Sequence, residues 1–169
     1  MNEDQALIEY LRRSYTATDG LWFMIVEQAH DFDHALALDE QVWQILPRIQ
    51  ARKAREVLDI SGNSLGDLTA CFRLKLQANG HQFHIERSDS EVQFIITHCK
   101  WRELLRKSGR EHLEERISNV IWPAELAAWC REFGGEFECQ YLDETAADAE
   151  YRIIFLRVEN PPHGRVAEG

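Results

Sequence analysis

The hydrophobic period changes at Asn79 and Gly80, and this change constrains the chain more than any other feature. Before it, apolar residues recur every three or four positions; after it, HQFHIE and EVQFIITHC alternate apolar and polar residues around RSDS. A 3.6-residue period belongs to helices with one buried stripe, and a period of two belongs to half-buried strands. The chain must therefore join a helical N-terminal half to an antiparallel sheet.

The helical half divides at residues that favour caps and turns. Ala6, Leu7, Tyr10 and Leu11 mark a short first helix, and Asp19 is placed to cap a second whose stripe is Leu21, Trp22, Ile25, Val26 and Ala29. That helix is expected to stop at HDFD. Asp33 is expected to cap the next, which runs through Ala35, Leu36, Val42, Trp43 and Leu46 to Pro47. Proline lacks the N–H that a helix interior needs, so a new helix is expected to restart there and continue to about Leu58. After DISGN, the SLGD at Ser64 has capping-box spacing, with Leu65, Leu68, Phe72 and Leu76 on one face.

In the first hairpin a four-residue connection pairs Phe83 with Phe94 and Ile85 with Val92, whereas a one-residue slip would oppose apolar to polar positions. Phe83, Ile85, Val92, Phe94 and Ile96 then share the buried face. KWRELLRKSGREHLEERI is helical, with an interruption at Gly109. A further helix opens at Pro123 and closes at Gly134 and Gly135. EFECQYL and EYRIIFLRV form a second hairpin around DETAADA. The expected class is α+β: a helical N-terminal half packed with a four-stranded antiparallel sheet made of two hairpins separated by helices. Residues 1–160 form one domain, and the polar tail 161–169, rich in Pro and Gly, is expected to fray. At 169 residues, roughly 70% of the unfolded chain's surface can be buried without help from a metal or a disulfide.

The net charge of −10 opposes phosphate backbones and anionic headgroups, so neither nucleic acid nor a membrane is an expected partner. Acids stand where a secretory signal carries its basic region, and no apolar run reaches bilayer length; the expected location is the cytoplasm. Cys71, Cys99, Cys130 and Cys139 form no CxxC pair and are expected to be free thiols.

Five groups of residues carry candidate chemistry. Glu27, His30 and His34 have one-face helical spacing, but the turn at Asp31 to Asp33 breaks it, which favours solvated histidines over metal ligands. Glu27 and Asp39 each sit in apolar helical surroundings, and an inward carboxylate needs a partner or a ligand. Among His81, His84, His98 and Cys99, the pleat puts His81 and His98 on one face and the other two on the opposite one. That leaves a two-histidine site possible only if Glu27 or Asp39 completes it, since two histidines alone fall short of the three or four ligands a metal site normally has. No metal or other cofactor is expected. Cys99, followed by Lys100 and a helix, is a candidate thiolate nucleophile with its pKa lowered. Trp22 and Trp43 are either core or the wall of a flat apolar ligand's pocket.

DGLWFMIVEQAHDFDHALALDEQVW, THCKWRELLRKSGREH and the closing EYRIIFLR together resemble a bacterial group related to the L-2-amino-thiazoline-4-carboxylate hydrolase-like proteins. More remotely they are similar to the vinyl-reductase-like small-molecule-binding domain. The resemblance runs from Thr18 to Arg157 and puts Trp22, Glu27, Asp39 and Cys99 on the group's recurrent positions. Further cysteines that the group often carries, near Trp122 and near Glu150, are absent. That departure weakens any inheritance of a cysteine-ligated metal or of hydrolase activity.

Two functions follow as expectations. One is a small-molecule-binding protein with its pocket between the helical hairpin and the sheet, Trp22, Asp39, Trp43 and His98 contacting the ligand. The other is an amide or ring-opening hydrolase using Cys99 and Glu27, or a metal held by carboxylate and histidine. The expected partner is a small-molecule ligand, and association into a homo-oligomer stays open.

Overall fold

Asn2 opens the chain's first helix with a reciprocal cap: its side chain accepts from the Gln5 amide at 2.8 Å, and the Gln5 side chain accepts from the Asn2 amide at 3.0 Å. In the computed structural model, which describes residues 2–143 and 149–158, this helix (α1, Glu3–Ala29) runs unbroken for 27 residues. The expected boundary at Asp19 does not exist. Asp19 makes no cap; it lines a cavity on the inner face of the helix, which runs on through Asp-Gly despite the local preference of that pair for a turn. Thr16 and Thr18 spend their hydroxyls on the carbonyls of Arg12 and Ser14, each at 2.9 Å, within the same helix.

The second helix (α2, Phe32–Val57) is capped by Asp31, not Asp33, through a 2.7 Å bond from the His34 amide. It also passes through Pro47 without the expected restart. An interior proline forfeits one backbone bond and costs about 3 kcal/mol. Here Pro47 is buried, and the turns after it seat Ala51 and Ala54, 0% and 6% exposed. Burial of this small-residue face offsets the missing bond.

The third helix (α3, Leu65–Ala78) has the expected capping box, with Ser64 Oγ accepting from the Asp67 amide at 3.1 Å and Asp67 accepting from the Ser64 amide at 2.9 Å. Strands β1 (Gln82–Arg87) and β2 (Glu91–His98) follow as an antiparallel hairpin. Its register differs from the expected one by two residues: Phe83 faces Ile96, Ile85 faces Phe94 and Arg87 faces Val92. The turn is tighter than a four-residue connection, closed by the Ser88 amide on the Glu91 carbonyl at 2.9 Å. An even slip keeps each side chain on its face. Phe83, Ile85, Val92, Phe94 and Ile96 therefore still point to the core.

Helix α4 (Lys100–Lys107) ends at Gly109, whose φ of +68° suits a residue without Cβ. A single 3₁₀ turn, Glu111–Leu113, leads into α5 (Glu114–Glu132). Pro123 lies inside α5, nine residues past its start, instead of opening a helix. The buried run Ile121, Trp122, Glu125 and Leu126 carries the helix across it. Strands β3 (Phe137–Asp143) and β4 (Tyr151–Arg157) complete the sheet in the order β1-β2-β4-β3, antiparallel throughout. The class is α+β, with two hairpins separated by helices. Most of the DETAADA loop and the whole 161–169 tail lie outside the described residues.

The core is where α3 and α5 meet the sheet. Phe72 of α3 stands edge-on to Phe94, Phe155 and Trp129, with centroids 5.0–5.1 Å apart. Helix α1 contributes no buried side chain. No helix among the described residues is long and apolar enough to cross a membrane.

Gly20 sits in the interior of α1 with nothing within 4 Å of where a Cβ would be. Gly20→Ala is expected to stabilise the protein by about 0.5–1 kcal/mol in urea unfolding, because glycine's excess backbone entropy is removed at no steric cost. A helix broken at Asp19 would gain nothing from the change.

Candidate functional site

Two adjoining cavities open on the inner side of the α1–α2 hairpin. The larger, about 550 Å³, lies between α1 and α4; the smaller, about 110 Å³, continues inward to α3 and α5. Thr16, Asp19, Asp39, Lys100, Trp101 and Ile117 line both, so the smaller space is the deep end of one site. The combined size suits a small molecule. No lining residue lies on a strand. The site thus sits beside the sheet, where α3 turns into β1 and β2 turns into α4, and not between hairpin and sheet as expected.

The charges of this site are arranged unevenly. Arg12 and Arg13 pair with Glu9, Lys100 and Lys107 with Glu103, and Arg110 with Glu27. At the deep end Lys75 and Glu125, 7% and 2% exposed, form an ion pair, with the Lys75 ammonium 5.0 Å from the Trp122 ring centre. Every lysine and arginine lining the site therefore has a carboxylate partner. Asp19 and Asp39 are different: among the described residues neither meets a basic side chain.

Asp39 is 8% exposed, and burial together with the nearby Asp19 raises its pKa to about 7, against a hydrogen bond from Trp43 that lowers it. Burial raises Asp19 as well. Tyr15 is pushed up to about 12, by burial first and then by Asp19, Glu125 and Asp39. His81 is held down at about 3 by burial and by the charge of Lys75, so it is neutral at pH 7. Its Nδ1 accepts from the Lys100 amide at 3.2 Å, which leaves the ring proton on Nε2.

The residues singled out from sequence separate in space. Asp39, Trp43 and Cys99 line the deep end together. Glu27 lines neither cavity: its carboxylate takes a 2.6 Å bond from Arg110, as a structural acceptor does. Trp22 lies on the outside of α1, 43% exposed. His98 is bonded to Glu103 at 2.9 Å and lines neither cavity. His81 and Cys99 both reach the deep end because each stands just beyond a strand end, where the pleat no longer sets the face. Sequence reasoning missed Asp19, Lys75 and Glu125 as site residues and weighed His81 only as a metal ligand. Lys75 and Glu125 carry the signal that found Asp39, a charge inside an apolar helical run.

Cys99 precedes α4 as its N-cap but is 1% exposed, with the Tyr151 hydroxyl 3.7 Å from Sγ. Burial raises its pKa and outweighs the amides of Arg102 and Trp101 and the Tyr151 hydroxyl, which pull it down. The expected lowering is overturned by desolvation. Cys139 is the one thiol whose pKa is lowered, by a hydrogen bond from Cys130, and it is the only one not buried. Timed alkylation of the folded protein, read by mass spectrometry, is expected to label Cys139 first and Cys99 only on unfolding.

No curated protein and no solved structure matches the chain. A family model does match, over residues 1–131, a span that contains every residue lining the two cavities. On that match the chain belongs to the family of unknown function DUF6125.

Proposed function

We propose that this protein binds a small molecule carrying a protonated amine, seated between Asp19 and Asp39. The observation that carries the reading is Asp39: a carboxylate 8% exposed, lining a cavity, with a second carboxylate near it and, among the described residues, no cation to neutralise either. Buried charge without a partner is costly. An ammonium group at this point would supply the missing partner to both acids. Trp43 and Trp101 line the same space, and aromatic faces attract cations as well as apolar ligand surface. An anionic ligand has less to gain, because each lysine and arginine lining the site already has its carboxylate. A nucleophilic role for Cys99 has no support in its burial and raised pKa.

A pH dependence follows. Below about pH 7 Asp39 is protonated and offers no charge; above it the carboxylate is free to bind a cation. Affinity for benzylamine, phenethylamine or cadaverine, measured by calorimetry, is expected to rise roughly tenfold from pH 6 to pH 8, with proton release on binding near pH 7. Asp39→Asn should abolish this dependence and most of the affinity.

Stability gives a second readout. The folded pKa of Asp39 lies above its unfolded value near 3.8, so ionisation opposes folding: the cost is absent below about pH 4, grows up to about pH 7 and is constant above. Asp39→Asn is therefore expected to melt higher than the parent at pH 8, with the difference closing toward pH 4. A variant that melts lower at pH 8, or a parent that binds none of these amines at millimolar concentration, overturns the reading.

A further inference from the structure

Helix α1 turns one face to the cavity and leaves the other without a partner. Arg12, Thr16, Asp19 and Phe23 line the cavity; on the outer side run Leu7, Leu11, Ser14, Thr18, Leu21 and Ile25, of which only Leu21 also reaches the cavity's rim. The outer six are spaced four, three, four, three and four apart, the a/d seam of a coiled coil. All are exposed, the four apolar ones by 56–63%. Ile8 and Trp22 flank the seam and are exposed by 58% and 43%, whereas Tyr15, at the same seven-residue spacing between them, turns inward to the deep end of the cavity. Between Leu7 and Ile25 the charged residues are Glu9, Arg12, Arg13 and Asp19, and none stands on the seam. Helix α2 adds Val42, Ile45 and Ile49, exposed by 40–59%.

We infer that this face is the interface with a second copy of the chain, in which α1 packs antiparallel against α1 of the partner across a two-fold axis. The seam is a palindrome about Thr16. Antiparallel pairing sets Leu7 opposite Ile25, Leu11 opposite Leu21 and Ser14 opposite Thr18, so large apolar residues meet at both ends and two small hydroxyl residues meet in the middle. A two-fold interface requires this reciprocity, and antiparallel helix pairs match a positions with d positions in this way. A partner of a different sequence would have no reason to impose it. The apolar side chains on α1 and α2 expose on the order of 1,000 Å² together, above the largest patch of an ordinary monomer and close to the ~800 Å² per partner of a stable dimer.

Charge argues the same way. The chain carries −10, yet its most apolar face is free of charge, so two copies can approach there at the least electrostatic cost. A helix that lies on a membrane surface carries Lys and Arg beside its apolar face, and the flanks of this seam hold none. The interface is independent of the ligand reading, since neither Asp19 nor Asp39 takes part in it.

Sedimentation equilibrium of the full chain at about 50 μM is expected to give twice the chain mass. Leu11→Glu and Leu21→Lys should each weaken the dimer at least 100-fold with unchanged helicity, because both residues are exposed in the single chain. Mixing the two variants is expected to restore a heterodimer at least tenfold tighter than either homodimer, since the antiparallel register sets the introduced carboxylate of one chain against the introduced ammonium of the other. A monomeric parent, a dimer indifferent to both substitutions, or a mixture no tighter than its components overturns the proposal. Co-sedimentation of a monomeric parent with phosphatidylcholine vesicles would assign the face to a membrane instead.

Discussion

The Phe72 ring meets Phe94, Phe155 and Trp129 edge-on, and through these three contacts one residue of α3 touches both hairpins and α5. Such aromatic pairs add about 0.5–1.5 kcal/mol each beyond the area they bury. Their geometric effect reaches further than their energy. Lys75 lies one turn along α3 from Phe72, and its ammonium rests 5.3 Å from that ring and 5.0 Å from Trp122. Fixing Phe72 therefore fixes Lys75, which fixes Glu125 on α5 and sets the floor of the polar recess.

Arg102 does for the other end what Phe72 does for the core. Its side chain is largely buried and bonds to Tyr141 and Asp143 of β3, to the Glu150 carbonyl just before β4, and to Glu114 at the start of α5. The guanidinium also lies 5.0 Å from the Tyr151 ring. One planar fork thus ties α4 to both strands of the second hairpin, a task a lysine could not perform. Because Trp101 precedes it, the wall that α4 gives to the cavity is held by the same anchor.

Element types could be read from the sequence because period and burial agree there: Ser64 and Asp67 announce α3, and the alternation in EVQFIITHC announces β2. What the residues did not reveal were the places where packing outweighs a local signal. Asp19 with Gly20, Pro47 and Pro123 all look like boundaries, and all three lie inside helices that continue past them. The hairpin pattern fixed a face but not a register, since alternation is unchanged by a shift of two. At the site, Asp39 was visible as a charge among alanines and leucines. The separation of Glu27 from it depended on Arg110, 83 residues away, which no local pattern encodes.

A helix of 27 residues without one buried side chain has few ties to the rest of the molecule. Its amides should exchange with solvent through openings that leave Phe72 and the sheet untouched, so α1 and the core belong to different cooperative units. The wall of the cavity is then also its loosest part: α1 can lift from it without any of the hydrophobic core melting. Whatever covers the outer face of α1 governs how often that wall moves.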